Sequence, residues 1–110
     1  EVVLDLDEEI PAVIMDFNQI SQVIMNLIIN AVDAMGDGGR LTLETRLERD
    51  PAAAVLTVSD TGPGILATDV SRIFDPFFTR KPDGTGLGLS ISRQILDKHG
   101  AFIELNSAPL

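Results

Sequence analysis

Residues 16–36 read DFNQISQVIMNLIINAVDAMG, and the organisation of the chain can be worked outward from them. Phe17, Ile20, Ile24, Leu27, Ile28, Ala31 and Met35 recur at spacings of three and four, which predicts an amphipathic helix of about five turns. Asp16 stands where an N-cap belongs, with Gln19 at the capping-box position three residues on. Gly36 and the Asp37-Gly38-Gly39 turn close the helix. A polar stripe of Gln19, Gln22, Asn26, Asn30 and Asp33 shares a second face. Solvated faces favour Lys and Glu, whereas this one is mostly amides, and Asn is a poor helix former. Neutral amide oxygens are hard ligands suited to Mg²⁺, so the stripe reads either as a solvent face or as part of a metal-phosphate site.

On the N-terminal side, Val2 to Leu6 reads as a strand, Ile10-Pro11-Ala12 as a turn and Val13-Ile14-Met15 as a second, more buried strand. Beyond the helix, Arg40 to Glu48 alternates, with Leu41, Leu43 and Leu47 on the buried side. Arg49-Asp50-Pro51 is a turn, and Ala54 to Asp60 the next strand. A weak helix is expected around Asp69 to Phe74, a second long helix from Leu87 to His99 closed by Gly100, and a last strand from Ala101 to Asn106. Strands, helix and strands without strict βαβ alternation predict a two-layer α/β sandwich, a mixed sheet with helices on one face.

The chain has 110 residues, which suits one domain able to bury roughly 65% of its unfolded surface. It is 45% hydrophobic and 23% charged, a globular balance. Without cysteine, disulfides, thiolate nucleophiles and cysteine-based zinc sites are excluded. No apolar run approaches the ~20 residues of a membrane span, so no membrane segment is expected. The net charge is −9, and every base lies at Arg40 or later. Such a chain, lacking Trp and Tyr, offers no basic stripe with stacking aromatics for nucleic acid.

Three further stretches could carry chemistry. Asp60-Thr61-Gly62-Pro63-Gly64 ends a strand in a tight loop whose backbone can approach a ligand, with an Asp able to accept a hydrogen bond from an exocyclic amine. Taken alone, the stretch is better explained as an ordinary turn with an Asx hydrogen bond. Gly84-Thr85-Gly86-Leu87-Gly88-Leu89-Ser90 leads into a helix, and its backbone amides suit phosphate, although it is neither a Walker A motif nor a spaced Rossmann fingerprint. Ile73-Phe74-Asp75-Pro76-Phe77-Phe78-Thr79-Arg80-Lys81 reads as local core packing or as a hinged lid whose cations reach phosphate.

Taken in order, these stretches resemble the ATP-binding catalytic domain of bacterial sensor histidine kinases, in the superfamily of gyrase, the large heat-shock chaperone and mismatch-repair ATPases. Asn26-Leu27-Ile28-Ile29-Asn30-Ala31 is similar to the N box, Asp60-Thr61-Gly62-Pro63-Gly64 to the G1 box, Phe74-Asp75-Pro76-Phe77-Phe78 to the F box, and Gly84-Thr85-Gly86-Leu87-Gly88-Leu89 to the G2 box. The resemblance spans nearly the whole chain. It implies a two-layer sandwich that binds Mg-ATP between helices and lid. Asn30 would be the principal Mg²⁺ ligand, and Asn26 would contact phosphate or metal-bound water. Asp60 would take the adenine amine, with Gly62 and Gly64 shaping the pocket. Thr85, Gly86, Leu87, Gly88 and Leu89 would supply phosphate-binding amides. Lys81, in a short lid like that of the nitrogen-regulator type, would reach the γ-phosphate, with Phe74 and Phe77 anchoring the lid.

The resemblance implies a protein-histidine kinase working in the cytoplasm, free or on the cytoplasmic side of a membrane sensor. Residues 1–110 would be its catalytic domain, with the phosphoacceptor on its separate dimerisation domain and a response regulator downstream. ATP-hydrolysing members carry Glu where this chain has Asn26, so transfer to protein is favoured over hydrolysis. Many kinases place Lys or Arg at the position of Asp33, which shifts phosphate contact to the lid. The family usually continues into a Gly-rich turn and a further strand, where this chain ends at Leu110. His99, the single histidine, precedes Gly100 at a helix end and reads as a helix-capping imidazolium rather than a phosphoacceptor. Alternatives are a nucleotide-gated clamp of the chaperone type, which multiple-turnover hydrolysis would reveal, and a non-catalytic ATP-binding module of the same fold.

Overall fold

The computed structural model describes residues 1–49, 52–79 and 86–105. In chain order they form β1 (Val2–Asp5), α1 (Phe17–Met35), β2 (Leu41–Arg49), β3 (Ala52–Asp60), α2 (Ala67–Val70) and α3 (Gly88–Lys98). The three strands make one mixed sheet in the order β1-β2-β3, with β1 parallel and β3 antiparallel to β2. A parallel β1–β2 pair needs a crossover between its strands, and α1 lies in that connection. The α/β class with a mixed sheet is therefore as expected.

The chain divides into two compact units. The first holds Glu1–Ile14 and Ile28–Gly62, that is, the sheet and the C-terminal part of α1. The second holds Met15–Leu27 and Pro63–Leu110, that is, the N-terminal part of α1 with α2 and α3. Each has its own buried residues: Ala31 and Leu41 in the first, Val23, Ile95 and Ser92 in the second. In the first unit Leu41 pairs with Val2 on one side and Asp60 on the other, so the register fixes which strand end carries Asp60.

Helix ends follow local chemistry. Asp16 Oδ1 accepts the Gln19 N–H at 3.0 Å, as an N-cap should. At the end of α3, Gly100 adopts φ +67°, its N–H bonds Asp97 O at 3.2 Å, and the Ala101 N–H bonds Leu96 O at 2.9 Å. This is a Schellman motif, with glycine at the left-handed position that closes it.

Three expectations need correction. Val13-Ile14-Met15 forms no strand, and Ile14 is fully exposed. Among the described residues these three pair with neither outer strand of the sheet, and Pro11 just before them brings no N–H to a ladder. Ile10, Pro11 and Val13 instead line a shallow cavity of about 240 Å³ with Leu47 and Ala54. The described part of the expected last strand, residues 101–105, joins no ladder, and Phe102 lies exposed; Asn106 falls outside the described residues. Alternating apolar residues become a strand only where an edge accepts their backbone groups. The weak helix begins earlier than expected, at Ala67, and after Val70 the chain continues in turns in which Arg72, Asp75 and Phe78 donate in succession to Asp69, Arg72 and Asp75.

Candidate functional site

In the first unit, β3 delivers Asp60 at its C-terminal end. Asp60 Oδ1 accepts the Gly62 N–H at 2.8 Å, so the Asx turn is real. It also holds the carboxylate of an exposed residue in one orientation, with Oδ2 as the remaining acceptor. The next residue ties the turn down: Thr61 Oγ1 accepts the Arg40 N–H at 2.9 Å and lies 3.8 Å from Met35 Sδ on α1. A methyl group at Gly62 would stand 2.9 Å from Asp60 Oδ1 and 3.2 Å from Ala34 O. Gly62 thus eases the close approach of the turn to the last turn of α1, the helix that carries half-buried Asn30.

In the second unit, α1 meets the start of α3. Asn26 Nδ2 lies 3.4 Å from Gly88 O and 3.3 Å from Ser92 Oγ. A carbonyl can only accept, so the amide nitrogen faces Gly88 and Oδ1 is left as the acceptor. Both bonds are long, and Ser92 is fully buried, so the contact is sheltered from water. Leu87 caps α3, and its carbonyl accepts the Ser90 hydroxyl at 3.0 Å and the Ile91 N–H at 2.9 Å. Leu87, Gly88 and Leu89 are half-buried.

The two ends of the glycine loop and aromatic segment are stapled together. Phe77 donates its N–H to Gly86 O at 2.8 Å, and both have positive φ, 68° and +74°. A methyl group at Gly86 would fall 2.2 Å from the Phe77 carbonyl carbon. Arg72 stacks over Phe78 with 4.5 Å from Cζ to ring centroid, and Arg93 of α3 over Phe74 at 5.5 Å. Gly64, at φ +79°, lies in the same unit. Lys81 and Thr85 lie outside the described residues.

Asn26 and Gly88 are therefore brought together, as are Asp60 and Gly62, and α1 takes part in both places. Sequence reading singled out neither Ser92, Thr61 nor the left-handed backbone of Phe77. The small hydroxyl of Ser92, two residues past Ser90 in an otherwise apolar run, was the one available signal. His99 needs correcting: its Nε2 accepts the Asp16 N–H at 3.0 Å, a role no imidazolium can fill.

α1 thus makes one contact within each unit: its last turn approaches the Asp60–Gly62 turn in the first, and its Asn26 meets the start of α3 in the second. Residues 15–109 match the family described as histidine kinase-, DNA gyrase B- and HSP90-like ATPase, and the chain belongs to it. It is 40% identical over 92 residues to the sensor histidine kinase ZraS of Salmonella typhi, covering 84% of this chain and 20% of that protein. It is 39% identical to the sensory histidine kinase/phosphatase NtrB of Salmonella typhimurium, covering 98% of this chain and 34% of that protein. The structure of a mycobacterial sensor histidine kinase, MprB, matches with a TM-score of 0.79 at 32% identity, covering 91% of this chain and 66% of that one. The chain thus spans only about 20–34% of the length of these curated relatives.

Proposed function

We propose that this chain binds Mg-ATP and presents the γ-phosphate for transfer to a histidine on a separate dimerisation domain in two-component signalling. The observation that carries the reading is the double engagement of α1. Its last turn seats the Asp60–Gly62 turn, and its Asn26 seats the start of α3. Asp60, with Oδ1 held by Gly62, would accept from the adenine amine through Oδ2, and Gly62 and Gly64 would leave room for the ring. The amides from Thr85 to Leu89 would take phosphate oxygens.

Among the described residues no cluster of His, Asp and Glu could hold a metal, so Mg²⁺ would rest on Asn30 and on the phosphates themselves. The donor set fits that ion, which would supply charge neutralisation at the phosphates when bound. Asn26 offers an amide and no base, so nothing there activates water for hydrolysis. Lys81 would complete the charge balance at the γ-phosphate, leaving an incoming imidazole to attack in line. The catalysis is positioning and electrostatics.

Residues 1–110 would be the catalytic domain of a larger kinase, acting where cytoplasmic ATP is available and passing phosphate onward to a response regulator. Among the described residues no helix is long and apolar enough to cross a membrane. The test is incubation with γ-labelled ATP and a dimerisation domain supplied in trans. Acid-labile, base-stable label on that domain is the expected result. Release of inorganic phosphate over many turnovers with no labelled protein would replace this reading with the clamp.

A further inference from the structure

The hydrogen bonds of His99 are more specific than a helix-end histidine requires. Its Nδ1 lies 2.8 Å from Ile95 O, and its Nε2 lies 3.0 Å from the backbone nitrogen of Asp16. A carbonyl must accept and a backbone N–H must donate, so both roles are fixed without reference to hydrogen positions. The ring is neutral, protonated on Nδ1, with Nε2 as acceptor. Asp16 is the N-cap of α1, and its carboxylate is engaged with the Gln19 N–H. In a capping box the Gln19 side chain would take the Asp16 N–H in return. Here the last turn of α3 supplies that acceptor instead.

α1 and α3 are therefore tied at two places within the second unit. At one end Asp16 meets His99; ten residues along α1, Asn26 meets Gly88 and Ser92, seven to eleven residues before His99. Ten residues of helix rise about 15 Å, and the matching stretch of α3 rises about the same. Two ties at this spacing oppose sliding or turning of α1 against α3. We infer that His99 is a positioning residue: as an Nδ1-protonated imidazole it clips the start of α1 to the end of α3 and so sets the register in which Asn26 meets the glycine-led helix start. Its consequence for nucleotide rests on the function proposed above; the clip itself does not.

The chain's single histidine makes the test clean. ¹⁵N-correlated NMR of the ring, recorded well above the ordinary imidazole pKa, should show Nδ1 protonated and Nε2 as acceptor. The Asp16 amide should exchange slowly. The Nε2-protonated tautomer, or an Asp16 amide exchanging as freely as an unbonded one, would overturn the clip.

Two substitutions then separate the acceptor from mere packing. His99→Gln keeps an acceptor near the place of Nε2, whereas His99→Asn reaches only as far as Nδ1. With folding checked by circular dichroism, His99→Gln should hold Mg-ATP within about twofold of wild type, and His99→Asn should weaken it roughly threefold or more. Equal affinity in wild type and His99→Asn would refute the positioning role. If folded wild type bound no Mg-ATP, the nucleotide reading would fall, and with it the role in nucleotide binding, while the ring tautomer and Asp16 exchange would still decide the clip.

Discussion

Gly86 and Gly88 stand two apart in one glycine-rich run, yet the structure gives them unlike roles. Gly86 has positive φ and faces the Phe77 backbone, where any Cβ would collide. At Gly88 a Cβ would meet Asn26 Cγ at 3.9 Å, an ordinary contact. Gly86→Ala should therefore destabilise the chain by about 2 kcal/mol or more, and Gly88→Ala should stay within about 0.5 kcal/mol. Urea unfolding of the two variants checks this, and equal midpoints would remove the staple. The run is visible in sequence as a possible phosphate loop, but the reason for Gly86 is not. That depends on Phe77 adopting a left-handed backbone, which non-glycine residues seldom do and no local pattern announces.

At the scale of elements, α1 and α3 were legible because apolar spacing, the Asp16 cap and the terminal glycines all agree on them. The bond that Ser92 makes to Asn26 joins residues 66 apart and could not be read from either helix alone. Ser92→Ala should cost about 1 kcal/mol. Combined with Asn26→Ala in a double-mutant cycle, it should cost less than the sum of the two, because both remove the same bond. Strict additivity in thermal or urea unfolding would mean that the bond contributes nothing. The two misplaced strands have a common cause. Val13-Ile14-Met15 and residues 101–105 have the right side chains, but a strand is completed by its neighbour, and the three-stranded sheet does not take them up.

For the molecule as a whole, four boxes in order carried the family reading, and the match over residues 15–109 bears it out. Sequence order could not show how one helix serves two compact units. Asn30 lies on the part of α1 that belongs with the sheet, and Asn26 on the part that belongs with α3. The acidic balance poses no obstacle to a polyanion, since the proposed donors are backbone amides, the lid cation and a metal. The central claim is that Asp60 and the amide face of α1 make this chain a Mg-ATP module. Calorimetric titration of ATP into the folded chain, with and without Mg²⁺ and beside Asp60→Asn, tests it most directly. Mg²⁺-dependent binding that weakens about tenfold or more in Asp60→Asn is the predicted result, since the variant loses a charge-assisted acceptor. A folded wild-type chain that binds no ATP, or an Asp60→Asn variant that binds as tightly as wild type, would contradict it.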